Sequence, residues 1–170
     1  MTQIPDPADV PMGAVPAYSP QQAERVAAVD ELNTLLRGEI SAAETYKMAI
    51  DKVSDSDRSR IGDVATLREM QEDHGRAAQA LRVRILDLGG TAANSSGAWG
   101  AWAKTVEGAA SLFGDRAALK ALKEGEQHGL KLYEDSADEL DMGSAQLVAS
   151  ELIPAQQRHI SLLDRMLDTA

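Results

Sequence analysis

The chain has 170 residues, which is one ordinary domain with room for a sizeable core. Seventeen Lys and Arg against 27 Asp and Glu leave a formal charge of −10, spread along the chain, which argues against nucleic acid and anionic membrane surfaces as partners. Cysteine is absent, so disulfides, thiolate zinc sites and thiol nucleophiles are excluded, and any metal must be held by Glu, Asp, His or amide oxygen.

Residues 1–20 hold five of the six prolines and no helical periodicity, and read as a flexible or extended tail. From Gln21 the composition turns to Ala, Leu, Glu, Lys, Arg and Gln, and one helical domain is expected over residues 21–168. The first helix is expected over about 21–53, after the start signal Tyr18-Ser19-Pro20. The polar turn Ser54-Asp55-Ser56 leads to a second helix, about 57–88, stopped by Gly89-Gly90. A third helix, about 115–140, opens at Gly114-Asp115, and a fourth, about 144–167, follows Met142-Gly143. Pro154 should kink the fourth helix or loosen its second turn. Residues 89–114 form the one long connection, and short, long, short is the loop pattern of a bundle with one crossover. Within it Trp99, Trp102, Val106, Ala109 and Phe113 recur at helical spacing, as an apolar flap over the bundle or a dimer patch. No stretch approaches the roughly 20 apolar residues of a membrane span, and the N-terminus lacks the basic-then-apolar order of a secretory signal. A cytoplasmic protein that associates with itself, as a dimer in the first instance, is the expectation.

The chain repeats itself. Gly38-Glu39 precedes Tyr46 as Gly125-Glu126 precedes Tyr133, and both Glu–Glu and Tyr–Tyr offsets are 87 residues. Gln71-x-x-His74 returns as Gln156-x-x-His159, at an offset of 85. One helical hairpin is written twice. Steps of three and four residues then give each helix its buried stripe: Leu36, Glu39 and Tyr46; Leu67, Gln71, His74 and Leu81; Leu122, Glu126 and Tyr133; Leu152, Gln156, His159 and Leu163. Six polar residues, Glu39, Gln71, His74, Glu126, Gln156 and His159, therefore take core positions. A buried carboxylate is costly unless it is paired, protonated or bound to a cation. Gln at i and His at i+3 share one helix face and can touch one ion.

These residues resemble the carboxylate bundles of the ferritin-like superfamily, rubrerythrin and bacterioferritin among them. Leu36-Arg37-Gly38-Glu39, Leu88-Gly89-Gly90 and Gly125-Glu126 with Tyr133 are also similar to a bacterial ferritin-like family labelled a domain of unknown function. The resemblance implies an all-α, left-handed four-helix bundle with one long crossover and a di-iron centre. It puts Glu39 and Glu126 in the single-glutamate places, His74 and His159 in the histidine places, and Gln71 and Gln156 where bridging glutamates belong. The glutamines depart from the pattern, because two carboxylates do not neutralise two divalent ions. Three arrangements are open at this point. One ion (Fe, Mn or Zn) is held by Glu39, His74, Glu126 and His159; or two ions are held with added anions or with Glu44, Glu72 or Asp73 turned inward. In the third, no cofactor is bound and the residues form a hydrogen-bonded layer. Tyr46 and Tyr133 fill the core or give the acids hydroxyl partners.

His128 reads as a surface histidine, and the acidic run Asp135, Asp138, Glu139 and Asp141 as a solvated helix end. No phosphate-binding glycine loop, dinucleotide fingerprint or nucleophile elbow occurs, so no small-molecule substrate and no catalytic residue is identified. The functional expectation is a metal-binding bundle with stress or redox chemistry by resemblance, against a metal-free bundle acting through assembly or partner binding.

Overall fold

The computed structural model describes residues 19–54, 61–100 and 115–169. Among them there is no strand, and four long helices form an all-α bundle. Helix α1 spans Pro20–Ser54 and α2 spans Ile61–Asp87. Helix α3 spans Asp115–Ser136. Helix α4 begins as Met142–Leu147, widens into a π-turn over Val148–Leu152, and continues as Ile153–Thr169. Packing is most extensive within the pairs α1–α2 and α3–α4, and lighter between α1 and α3 and between α2 and α4. None of the described helices is long and apolar enough to cross a membrane.

Local chemistry accounts for the helix ends. At the start of α1 the Gln22 backbone N–H donates to Ser19 Oγ at 3.3 Å and the Ser19 N–H donates to Gln22 Oε1 at 2.9 Å, a reciprocal cap with Pro20 at the first helical position. Helix α2 closes on Gly89, whose φ of 74° only glycine adopts freely, and the Gly90 N–H then reaches the Ile85 carbonyl at 2.9 Å. The expected start of α2 at Asp57 falls outside the described residues.

Helix α3 stops at Ser136, short of the expected end near 140. Asp135, Asp138 and Glu139 crowd negative charge onto the negative end of the helix dipole, which opposes further turns. Asp141 then caps α4: its carboxylate accepts the Gly143 N–H at 3.1 Å and is tied to Ser144 and to Arg84 of α2. The π-turn is the chain's answer to Pro154, which has no N–H for the usual bond; the Ile153 N–H reaches back five residues to the Val148 carbonyl.

From Gly90 the crossover lies against α1. Asn33 clamps it, donating from Nδ2 to the Thr91 carbonyl at 3.0 Å and accepting the Ala93 N–H at 2.7 Å. Contact is so close that a Cβ on Gly90 would come within 2.6 Å of Val29 Cγ1. Gly90→Ala is therefore expected to cost about 1–3 kcal/mol, measured by urea unfolding, because the methyls it would meet belong to the stiff, β-branched side chains of Val29 and Ile85. Of the aromatic flap, the side chain of Trp99 and residues Trp102, Val106, Ala109 and Phe113 lie outside the described residues.

The core divides into two apolar clusters. One gathers Ile50, Leu67, Met70, Leu122 and Leu163, and the other Leu32, Leu36, Leu81, Ile85 and Leu152. Between them lie the buried polar residues Glu39, His74, Glu126, Gln156 and His159.

Candidate metal centre

Each helix sends polar side chains into that middle level. Glu39, His74, Glu126, Gln156 and His159 are 5% exposed or less, each standing three or four positions from an apolar core residue of its own helix. His74 is the centre. Its Nδ1 lies 2.8 Å from Glu39 Oε2 and its Nε2 lies 3.0 Å from Glu126 Oε1. Burial pulls the imidazole pKa down, but the two flanking carboxylates outweigh it and hold it up at about 10. At neutral pH His74 is thus an imidazolium that donates to both acids. The same contact works on Glu126: burial pushes its carboxyl up, but His74 and His159 hold it down at about 2.

The tyrosines complete the duplication. Tyr46 of α1 donates its hydroxyl to Glu126 of α3, and Tyr133 of α3 donates to Glu39 of α1. Burial and the carboxylate each one faces push both phenols well above their ordinary range, so they remain donors. Both rings also fill the core, at 2% and 3% exposure.

The second half is not a copy of the first. Asp73 and Arg158 occupy equivalent places in the repeat, and they pair across α2 and α4 at 2.6 Å. Asp73 also lies 3.0 Å from His159 Nε2 and accepts from Arg76. Burial raises the Asp73 carboxyl, but hydrogen bonds from His159, Arg158 and Arg76 outweigh it and bring it to about 2. This anchors His159 through Nε2 and turns its Nδ1 inward, 3.4 Å from Glu126 Oε2. Neither of those two atoms has a hydrogen-bond partner, although both are enclosed. The His74 and His159 rings stand edge to face with centroids 5.0 Å apart.

Ligating atoms of His74, Glu126 and His159 all lie within 4.8 Å of one another, so this buried trio could hold a metal ion. Glu39 is outside the trio; its two oxygens are taken by Tyr133 and His74. Gln156 is buried in the same level, but its amide donates to the Glu126 backbone carbonyl at 3.0 Å. Gly129 makes that reach possible, since a Cβ there would stand 2.6 Å from Gln156 Nε2.

Gln71 departs from its expected core position. Met70, fully buried, takes the line of α2 that faces the core, and the turn of roughly 100° per residue leaves Gln71 beside it, half-buried and clear of the cluster. Of the acids considered as inward reserves, only Asp73 joins the cluster. Glu44 accepts from Ser96 at the crossover, and Glu72 is exposed beside Arg76. The chain's residues do not fit the dinuclear centre of the resemblance: Glu39, Glu126 and Asp73 are three carboxylates where four would be needed, Asp73 is taken up by Arg158, Arg76 and His159, Gln156 donates its amide N–H to a backbone carbonyl, and Gln71 is only half-buried.

Residues 27–139, which carry the first half of the repeat, the crossover and the Glu126–Tyr133 segment, match the family described as a domain of unknown function (DUF2383). The chain belongs to that family. No curated protein matches the chain, and no solved structure does. For this DUF2383 chain the chemistry of the buried layer therefore carries the functional argument. Asp73 lies one residue off the stripe, so periodicity does not place it in the layer; its position beside His74 made it one of three acids expected to be able to turn inward, and it alone does so.

Proposed function

We propose that the chain is a ferritin-like branch of the DUF2383 family that holds a single divalent metal ion, with His74 Nε2, Glu126 Oε2 and His159 Nδ1 as its ligands. The observation that carries this reading is the pair of enclosed atoms Glu126 Oε2 and His159 Nδ1, which face each other at 3.4 Å beside His74 and make no hydrogen bond. Buried polar atoms without partners are rare in folded proteins, and a shared cation gives both of them one.

Two further features support it. Each imidazole rests its other nitrogen on a carboxylate, Glu39 for His74 and Asp73 for His159, the contact that orients metal-bound histidines and fixes their tautomer. The charge also closes: an ion that displaces the His74 proton meets one negative charge from Glu39 and one from Glu126. Two imidazoles and one carboxylate suit iron(II), and manganese or zinc fit the same donors. A bound ion would supply Lewis acidity or, for iron and manganese, one-electron chemistry at the centre of the bundle.

A second reading rests on His74 itself. Its imidazolium already bridges both acids, so the same residues also form a metal-free layer that serves only to fix the register of the four helices. Metal analysis separates the two. Protein purified without chelator is expected to carry close to one metal per chain, and His159→Ala to carry at least ten-fold less, while His128→Ala, altered at an exposed histidine, retains it. Metal-free wild type that takes up no iron, manganese or zinc on reloading would favour the second reading.

A further inference from the structure

We infer that a cavity between α1 and α3 is a binding site for a small, uncharged, mostly apolar molecule. Its volume is about 260 Å³, and it opens where these two helices pack lightly. Its walls are Leu35, Gly38 and Ala42 on α1 and Leu122, Gly125 and Leu132 on α3. Its floor is the polar layer, reached at Glu39, Tyr46, Glu126 and Tyr133.

That floor is polar but saturated. Tyr133 and His74 engage the two oxygens of Glu39, and Tyr46 and His74 engage Glu126 Oε1. The remaining oxygen, Glu126 Oε2, is enclosed and offers no surface to the cavity. Thr45 and Gln156, which also line the cavity, each donate to a backbone carbonyl, and the exposed His128 is a further lining residue. At the floor a charged ligand would lose its hydration without gaining a partner, whereas an apolar one gains burial at no such loss. Size limits the class further. About 150 Å³ is enough for benzene, so this cavity takes two fused rings or an alkyl group of similar bulk.

Gly38 is the second observation. A Cβ there would meet nothing within 4 Å among the described residues, so none of these requires the glycine. Glycine inside a 35-residue helix is destabilising relative to alanine, and its φ is not positive, so backbone conformation does not call for it either. What Gly38 does is keep the wall of the cavity open.

The inference goes beyond the metal and does not rest on it, so every measurement is made in EDTA. Naphthalene is the probe, with 1-naphthylmethylammonium and 1-naphthoate as its charged counterparts, and binding to the full chain is followed by NMR. Naphthalene is expected to bind saturably and to shift the amide signals of Gly38, Ala42 and Gly125. Gly38→Leu should weaken binding at least ten-fold without lowering the melting temperature, and Ala42→Leu, one turn along the same wall, should do the same. Both charged compounds should bind at least ten-fold more weakly than naphthalene. Absence of saturable binding, undiminished binding by both variants, or tighter binding of either charged compound would overturn the inference. A wild-type dimer that Gly38→Leu dissociates, with no naphthalene bound, would overturn it too and assign the cavity to a second copy of the chain.

Discussion

His74→Ala, measured without metal, is expected to be the most damaging single substitution in the bundle. It removes the imidazolium that Glu39 and Glu126 share and leaves two enclosed carboxylates, Glu39 with the Tyr133 hydroxyl and Glu126 with the Tyr46 hydroxyl and the more distant His159. Breaking a buried ion pair by deleting one member costs about 3–5 kcal/mol, which for a chain of this size lowers Tm by about 6–20 °C. The stranded charges have a second consequence. Glu126→Gln in the His74→Ala background should restore part of the loss, because it removes one of the stranded charges, so the two substitutions should be far from additive in a double-mutant cycle. Additive effects would mean that His74 acts by filling space and not by its charge.

The second large effect is on pH. The folded chain holds His74 at about 10 against an ordinary value of 6.5, so its stabilising contribution is complete below about 6.5 and is lost as pH rises through 10. Glu126 and Asp73 run the other way. Both are held at about 2, against 4.5 and 3.8 when unfolded, so their contributions are present above those values and are lost as pH falls towards 2. Metal-free protein should therefore be most stable between about pH 5 and 6.5 and lose a few kcal/mol between there and pH 10. Urea melts across that range are the measurement, and His74→Gln should flatten the alkaline limb. A wild-type stability that is level from pH 6.5 to 10 would contradict the double carboxylate contact.

Much of this arrangement was legible in the spacing of residues. Glu39, His74, Glu126 and His159 stand at the same three-and-four steps as the leucines around them, so the rule that puts Leu36 and Leu81 in the core puts them there as well. The duplicated Gly-Glu…Tyr segment pointed to a matched pair of acids, and the structure adds that each tyrosine serves the acid of the opposite helix. Periodicity is a property of one helix at a time, and the misses follow from that. Gln71 gave way to Met70 because the rotation of α2 is set by its neighbours, and adjacent residues compete for one core line. Asp73 became part of the layer through Arg158, on another helix. The early end of α3 came from accumulated charge on its last turn, which a hydrophobic stripe does not register.

The asymmetry between the two halves is the physical basis of the single-ion account. A perfect repeat would set both histidines between the same two acids; the change of one equivalent pair to Asp73 and Arg158 draws His159 aside and leaves its inner nitrogen opposite Glu126. X-ray absorption on protein stripped of metal and reloaded with zinc tests this most directly. The account predicts one zinc per chain, with two imidazole nitrogens and at least one oxygen at about 2.0–2.2 Å. An oxygen-only shell, or a second metal about 3.5–4 Å away, would contradict it.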